Sequence, residues 1–186
     1  MKIILASKSP RRKEILEMAG YNFDIKVSNA DENVKAKSVK KMSLMIAKRK
    51  CDAVFEENKD SIVISADTIV YINKNVLEKP KDKDDCREMI RMLQGNVHEV
   101  YTSVVVKSFE KEISFLEKTK VYVSNMSDEE IEEYVNTSEP YDKAGAYAIQ
   151  GIFAKYIEKI EGDYYNVMGL PIYRLNKVLK EFDIDK

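Results

Sequence analysis

The sequence is poor in the residues that support disulfide scaffolds and zinc sites. Its 186 residues include two cysteines, one histidine and no tryptophan. Cys51 and Cys86 form no CxxC pair, and His98 has no cysteine or histidine neighbour at the spacing of a zinc site. No run approaches the roughly 18 apolar residues of a membrane-spanning helix. We therefore expect reduced thiols, a cytoplasmic location and no membrane partner.

An excess of either charge is also missing. The 31 basic and 32 acidic side chains leave a formal net charge of −1. This balance provides no long-range field for binding duplex DNA or an anionic bilayer. We expect no nucleic-acid partner, and any phosphate site must be local. The basic run Lys48-Arg49-Lys50 keeps a nucleic-acid-binding module open as an alternative, although an exposed helix face explains it equally well.

The chain contains only six glycines and four prolines, and no low-complexity linker or Pro/Gly-rich hinge interrupts it. We predict a single domain over residues 1–186. Apolar periodicity predicts strands at residues 2–6, 21–27, 61–72, 97–107 and 113–124. It predicts helices between Ser9 and Gly20, from Val39 to Glu57, around Cys86 to Leu93, after Ser127, and around Ile172 to Leu179. The alternation of these elements predicts an α/β fold with a mixed sheet flanked by helices.

The segment Ser7-Lys8-Ser9-Pro10-Arg11-Arg12 follows the first predicted strand and begins the first predicted helix. A helix N-terminus offers unpaired N–H groups and the positive end of the dipole. Two hydroxyls and two guanidinium groups at that point predict an anion site, because arginine binds phosphate oxygens in pairs. An ordinary helix cap with solvated arginines explains the segment equally well.

Three carboxylates are candidates for chemistry. Asp67 follows the apolar run 62–64, where burying an unpaired charge costs several kcal/mol. We expect Asp67 at the carboxyl end of a central strand, where α/β proteins usually bind ligands. Asp31 and Glu32 lie in a polar stretch, and from the residues alone they are solvated loop residues.

Other polar side chains are compatible with either a structural or a functional role. Lys50, Lys79 and Lys143 are loop or helix cations of a kind that is usually solvated. Tyr141, Tyr147 and Gln150 flank a glycine-bearing loop, and they either hold a nucleobase or belong to a folded loop. His98 is expected to be a structural or rim histidine.

Seven ordered segments together resemble the Maf family of nucleoside triphosphate pyrophosphatases. They are LASKSPRRKEILEMAG at 5–20, DE at 31–32, SADTIV at 65–70, EKP at 78–80, LQGNVHEVYTSV at 93–104, EPYDKAGAYAIQG at 139–151 and GDYYNVMGLP at 162–171. The resemblance implies two lobes with a central cleft, similar to inosine triphosphate pyrophosphatases. It also implies a divalent metal and a homodimer.

Site roles follow from the resemblance by position. The family implies substrate binding by Ser7, Arg11, Arg12, Lys50, Thr68, Lys79 and Gln150. It implies metal binding by Glu32 and Asp67, with Asp67 also the catalytic proton acceptor. Arg11, Thr68 and Gln150 match positions linked to substrate choice. Phe153 replaces a small residue that is frequent in the family, so we expect it to shape the pocket floor.

The implied reaction is hydrolysis of dTTP and UTP to the monophosphate and pyrophosphate, as in nucleotide pool sanitation. With oxygen ligands and a triphosphate, Mg²⁺ or Mn²⁺ is expected. Two alternatives stay open: a 7-methyl-GTP pyrophosphatase of the same family, and a non-enzymatic nucleotide-binding regulator of cell division.

Overall fold

A computed structural model describes residues 1–184 and shows a mixed α/β fold. The strands are β1 (Lys2–Leu5), β2 (Phe23–Ile25), β3 (Ser61–Ile72), β4 (Asn75–Leu77), β5 (Val97–Lys107), β6 (Glu112–Val123) and β7 (Ile157–Glu161). The helices are α1 (Pro10–Met18), α2 (Val39–Glu56), α3 (Lys83–Leu93), α4 (Asp128–Val135), α5 (Tyr164–Met168) and α6 (Ile172–Lys180). The strands pair in the order β2-β1-β3-β5-β6-β7, and β4 pairs with β3. The predicted fold class is confirmed.

Local signals explain where the helices begin and end. The Ser9 side chain caps α1 by accepting a hydrogen bond from the amide of Arg12, and Pro10 is the first helical residue. Gly20 follows α1 with a φ of 78°, a left-handed conformation that glycine adopts without strain. Ser127 and Glu130 form a reciprocal capping box at the start of α4, the helix predicted after Ser127.

The chain divides into two compact units. The first unit contains Met1–Asp67, Thr102–Glu117 and the described residues from Gly169 onward, and the second contains Thr68–Tyr101 and Lys118–Met168. Strands β3, β5 and β6 each contribute residues to both units. The prediction of a single domain over residues 1–186 concerns the whole chain and stays a prediction.

In the first unit, β1 runs parallel to both β2 and β3. Helix α2 packs on this sheet through a core of small and apolar side chains, namely Ile4, Ala6, Ala47, Cys51, Val54, Phe55, Val63 and Val105. The parallel pairing of β1 with β3 ends at Leu5 and Ile64. Ser7 and Asp67, two residues of the candidate site, follow shortly after these two residues.

In the second unit, β4 pairs antiparallel with β3, and β7 pairs antiparallel with β6. Helices α3 and α4 face each other and are joined by ion pairs from Arg87 to Glu132 and from Arg91 to Asp128. Strands β5 and β6 are adjacent in the sheet and separated by only residues 108–111. Such a short connection permits only antiparallel pairing.

The short elements were predicted only in part. β2 is limited to Phe23–Ile25 within the predicted range 21–27. β4 has three residues, β7 has five and α5 has five, which is too short to show a clear apolar period. The glycine-bearing loop around Tyr141 and Tyr147 contains two short 3-10 turns, Pro140–Asp142 and Ala144–Ala146. None of the helices that residues 1–184 form combines the length and apolar character needed to cross a bilayer.

Candidate active site

A cluster of two carboxylates and one ammonium group lies in the first unit; we call Glu32, Lys50 and Asp67 the carboxylate–lysine cluster. Lys50 projects from α2, and its Nζ lies 3.0 Å from Oε2 of Glu32 and 3.3 Å from Oδ1 of Asp67. The Lys50 side chain is 14% exposed and that of Asp67 12%. Low exposure strengthens the attraction between these charges, since water screens them less. One cation therefore compensates two carboxylates from different segments.

Asp67 is the most buried carboxylate of the cluster. Its Oδ2 has no hydrogen-bond partner among the described residues, whereas Oδ1 accepts from Lys50. Burial raises the pKa of Asp67, while the charges of Lys50 and Arg12 oppose that shift. The expectation that Asp67 ends a central strand is wrong, because β3 continues to Ile72. Asp67 instead lies three residues beyond the last β1-paired residue, Ile64.

The Arg12 side chain is held in place by two groups of the first unit. Its Nε donates to the carbonyl of Gly169 at 2.8 Å, and its Nη1 donates to Oγ of Ser7 at 3.1 Å. Ser7 Oγ also accepts from the amide of Ser9 at 3.2 Å. Burial lowers the pKa of Arg12, with Asp67 opposing that shift. The N-terminal segment thus supplies a fixed, partly buried guanidinium that interacts electrostatically with Asp67.

Glu32 lies in an irregular loop that Arg49 attaches to α2. Nη1 of Arg49 donates to the carbonyls of Asp31 at 3.0 Å and Asn33 at 3.1 Å, on either side of Glu32. The Glu32 side chain itself is 58% exposed. Sequence reasoning missed this function of Arg49, because hydrogen bonds to backbone carbonyls leave no signature in residue type.

The basic run Lys48-Arg49-Lys50 is fully engaged within the chain. Lys48 pairs with Glu112 and Asp52, Arg49 holds the Glu32 loop, and Lys50 belongs to the carboxylate–lysine cluster. Each of these cations already has an anionic or carbonyl partner. This pairing weakens the alternative of a nucleic-acid-binding module, which depended on the run being available.

The remaining predicted substrate residues are Arg11 in the first unit and Thr68, Lys79 and Gln150 in the second. Arg11 is half-buried, and its charge contributes to lowering the pKa of Arg12. Thr68 follows Asp67 within β3 and is half-buried. Lys79 and Gln150 are both exposed. The exposed ends of these two side chains are thus accessible to a ligand.

Residues 139–153, which we call the Glu139 loop, carry Gln150. The Glu139 carboxylate accepts hydrogen bonds from the amides of Ile152 at 2.6 Å and Phe153 at 3.1 Å. The Tyr134 hydroxyl donates to it at 3.0 Å. Sequence reasoning noted Glu139 only as part of a motif, because its partners are mostly backbone amides.

The Glu139 loop is also joined to the segment that carries Lys79. The amide of Gly145 donates to the carbonyl of Glu78 at 3.0 Å. Gly145 has a φ of 72°, and a Cβ there would lie 2.8 Å from Cγ1 of Val70. Glycine is therefore required at this position for both conformation and space.

Tyrosines of the Glu139 loop are structural. Tyr147 is 5% exposed, and its hydroxyl lies 2.7 Å from Nε2 of His98. Tyr141 donates to the carbonyl of Val135 at 2.7 Å. These contacts favour the folded-loop interpretation over base stacking. Burial lowers the pKa of His98 to about 4, which agrees with the predicted structural histidine.

Phe153 belongs to the core of the second unit. Its side chain is 0% exposed and packs against the rings of Tyr134, Tyr147 and Tyr156. Such aromatic contacts contribute about 1 kcal/mol per pair beyond area burial. The expectation that Phe153 shapes a pocket floor stays a prediction.

Within residues 1–184, no three acidic, histidine or cysteine side chains group closely enough to hold a metal ion by themselves. Glu32 and Asp67 are nevertheless brought onto the same ammonium group. Mg²⁺ is often bound by one or two carboxylates, with the rest of its coordination supplied by water and substrate phosphates. The Asp67 oxygen that lacks a hydrogen-bond partner in the described part of the chain and the exposed carboxylate of Glu32 fit that pattern.

Comparison with known proteins gives concordant results. The family model for Maf-like proteins matches residues 2–182. A dTTP/UTP pyrophosphatase of Bacillus cereus (strain G9842) is 49% identical over 185 residues, which cover 99% of this chain and 97% of that protein. A dTTP/UTP pyrophosphatase of Bacillus cytotoxicus is 48% identical over 183 residues, which cover 98% and 96% of the two chains.

Among solved structures, the Ham1 protein of Staphylococcus aureus matches with a TM-score of 0.54, covering 97% of this chain and 99% of that one. The two sequences are 11% identical. This likeness shows a shared fold alone.

Proposed function

The chain belongs to the Maf-like protein family, and from that premise we propose that it hydrolyses dTTP and UTP to the nucleoside monophosphate and pyrophosphate. One observation carries the proposal: the buried Asp67 has an acceptor oxygen without a partner among residues 1–184, and it interacts electrostatically with the fixed cations Arg12 and Lys50. Charge stabilisation and proton acceptance are the two functions that phosphoanhydride hydrolysis requires. Relatives about half identical to the chain carry the corresponding name.

We assign phosphate binding to Ser7, Arg11, Arg12, Lys50 and Lys79. Arg12 is already oriented by Gly169 and Ser7, so little side-chain entropy is lost when it meets a phosphate oxygen. Negative charge accumulates on the departing pyrophosphate as the bond between the α-phosphorus and the bridging oxygen breaks. A pre-positioned guanidinium stabilises this charge more in the transition state than in the bound substrate.

Asp67 is the proposed catalytic base. Its Oδ2 accepts a proton from the water that attacks the α-phosphorus, while Lys50 holds Oδ1 and fixes the carboxylate. The two oxygens thus have different roles: Oδ1 orients the carboxylate and Oδ2 accepts the proton. Ser43 contributes to the geometry because its hydroxyl donates to the backbone carbonyl of Asp67 at 3.1 Å.

Glu32 and Asp67 are the residues that we propose hold Mg²⁺ or Mn²⁺. A bound divalent ion supplies additional positive charge to the phosphate oxygens. Lys50 now neutralises both carboxylates, and this keeps them close together before an ion binds. Arg49 fixes the loop that carries Glu32. Arg49 therefore helps to set the distance between the carboxylates of Glu32 and Asp67.

We assign base selection to Arg11, Thr68 and Gln150. Gln150 is exposed and has an amide that both donates and accepts, which suits the carbonyl and N–H groups of a pyrimidine. Thr68 follows the catalytic Asp67 directly, so base selection and hydrolysis depend on adjacent residues of β3.

A nucleotide panel tests the proposal. The purified protein is incubated with dTTP, UTP, dGTP and 7-methyl-GTP, each with Mg²⁺, Mn²⁺ or EDTA, and pyrophosphate is measured. We expect dTTP and UTP to give the highest kcat/KM and EDTA to abolish release. Preferential cleavage of 7-methyl-GTP would assign the sister activity, and nucleotide binding without cleavage would support a non-enzymatic regulator.

We also propose that the enzyme acts in the cytoplasm as a homodimer. Cys51 and Cys86 are both buried free thiols, and burial raises their pKa values to about 12 and about 11. Protonated, unpaired thiols are usual in a reducing compartment. Light scattering of the purified protein tests the homodimer, with a mass of one chain as the contradicting result.

A further inference from the structure

We infer that Glu139 is a positioning residue for base recognition, acting through the backbone that carries Gln150. The inference rests on the proposed function, because it assumes that Gln150 contacts the base. Glu139 itself need not touch the nucleotide. Its carboxylate is directed at the chain that follows Gln150.

The carboxylate is occupied by three donors of the second unit. Two are the consecutive amides of Ile152 and Phe153, and the third is the hydroxyl of Tyr134. Hydrogen bonds to an ionised acceptor contribute about 1.5–3 kcal/mol each, more than neutral ones. Ile152 and Phe153 begin the 3-10 helix Ile152–Tyr156, whose first amides have no acceptor within the helix, and the Glu139 carboxylate supplies those acceptors.

Gly151 shows how closely the carboxylate approaches the chain. A Cβ at Gly151 would collide with both carboxylate oxygens and the carboxyl carbon of Glu139. The φ of Gly151 is 179°, an extended value open to any residue, so the glycine is needed for space. Because Gly151 is bonded to Gln150, the carboxylate fixes the peptide immediately beyond the Gln150 side chain.

Glu139 is in turn anchored by its own backbone. Its amide donates to Oγ1 of Thr137 at 3.3 Å, and its carbonyl accepts from Nζ of Lys143 at 2.8 Å. The hydroxyl of Tyr134 also lies 3.1 Å from the carbonyl oxygen of Ala146. Tyr134 of α4 contacts both ends of the Glu139 loop, because its hydroxyl donates to Glu139 and its ring packs on Phe153. Gln150 therefore projects from a segment with fixed ends.

The hydrogen bonds to Glu139 predict how neutralising this residue changes the binding of matched and mismatched bases. Neutralising Glu139 leaves one of the two amides without an acceptor, because a glutamine amide presents a single oxygen. Gln150 then starts from a wider range of backbone conformations, which weakens binding of the matched base more than that of a mismatched one. The phosphate contacts of the first unit are unchanged, so selectivity falls while the reaction products stay the same.

The test measures binding of non-hydrolysable α,β-imido dUTP and α,β-imido dGTP by calorimetry. The variants are Glu139→Gln and Glu139→Asp, and the matched control is Glu132→Gln, which loses the ion pair with Arg87 elsewhere in the second unit. We expect Glu139→Gln to reduce the preference for the uracil analogue roughly tenfold, equivalent to losing one charge-assisted hydrogen bond. Glu132→Gln is expected to keep the preference.

Two further readouts separate positioning from general stability. Hydrogen exchange at the amides of Ile152 and Phe153 is expected to accelerate in both Glu139 variants and to stay at the native rate in Glu132→Gln. Gly151→Ala is expected to reduce selectivity in the native background and to have much less effect in Glu139→Ala, where the colliding carboxylate is gone.

An unchanged preference in a folded Glu139→Gln protein would overturn the inference, as would additive effects of Gly151→Ala and Glu139→Ala. Since the readout is binding, these outcomes are independent of hydrolysis. Absence of pyrophosphate release by the native protein would overturn the proposed function instead, and the selectivity comparison would still decide the role of Glu139.

Discussion

Two acidic side chains, Asp67 in the carboxylate–lysine cluster of the first unit and Glu139 in the Glu139 loop of the second unit, are buried and half-buried respectively, but they are paired in opposite ways. In the cluster, Lys50 holds one oxygen of Asp67 while the other is left without a partner among the described residues. In the loop, the carboxylate of Glu139 accepts three hydrogen bonds. An incompletely paired carboxylate is available for chemistry, whereas a fully paired one fixes the backbone.

Burial alone therefore does not identify a catalytic carboxylate. What distinguishes Asp67 is the combination of burial, a nearby cation and an acceptor oxygen that nothing described satisfies. In the Glu139 loop, the carboxylate of Glu139 holds the backbone in one conformation. Variants that neutralise one charge at a time should therefore affect turnover in the first unit and selectivity in the second.

The largest effect is expected for Asp67→Asn. The substitution is nearly isosteric but removes the proton acceptor, so kcat should fall by about two orders of magnitude or more. Thermal unfolding should remain cooperative, because Ser43 still donates to the backbone carbonyl of residue 67. A folded Asp67→Asn protein with near-native turnover would remove the distinction between the two regions.

Lys50→Met should destabilise the protein by about 3 kcal/mol, because it leaves two carboxylates without their shared cation. The matched control is Lys48→Met on the same helix. Lys48 is 47% exposed and pairs with Glu112 and Asp52, so its loss should cost less than about 1 kcal/mol. Urea unfolding measures both values, and equal losses would contradict the special position of Lys50.

His98 gives the second unit a pH dependence of stability. Its pKa falls from 6.5 in the unfolded chain to about 4 when buried, so the unfolded state binds the proton first as pH decreases. The native protein keeps full stability from this group above pH 6.5 and loses about 2 kcal/mol by pH 5. The difference in free energy of unfolding between the native protein and His98→Gln should decrease by that amount. Equal pH dependence of unfolding in the two proteins would contradict burial of the neutral ring.

The smallest effect is expected for Gly145→Ala, at about 1–2 kcal/mol, since φ is positive and a Cβ would contact Val70. Because Gly145 donates to the carbonyl of Glu78, next to Lys79, KM for dTTP should also rise. Gly20→Ala, at a φ of 78° in the first unit, is the matched control. Gly20→Ala should lose similar stability without a change in KM. Equal rises in KM in the two variants would show that reduced stability, and not the contact of Gly145 with Glu78, changes substrate binding.

Much of the fold was predictable from the sequence. The predicted range 39–57 differs from α2 by one residue, and β3 has the predicted bounds, because caps and apolar periodicity act locally. The family and the fold class are confirmed. β4 and β7 were not predicted, because these short strands are defined by the strands with which they pair. β4 pairs with β3 across a turn, and β7 pairs with β6 from a distant part of the chain.

The candidate site was predictable only in part. Asp67 stood out as a charge beside an apolar run, and the resemblance supplied roles for Glu32 and Lys50. Arg49 and Glu139 were not predictable, since their partners are backbone groups brought near by folding. Residue type and spacing carry no information about such contacts.

The most direct test of the account is the site of oxygen incorporation during hydrolysis of dTTP in H₂¹⁸O. If the water activated at Asp67 attacks the α-phosphorus, mass spectrometry should find the label in dTMP and none in pyrophosphate. Label in pyrophosphate, or release of inorganic phosphate in its place, would contradict the account.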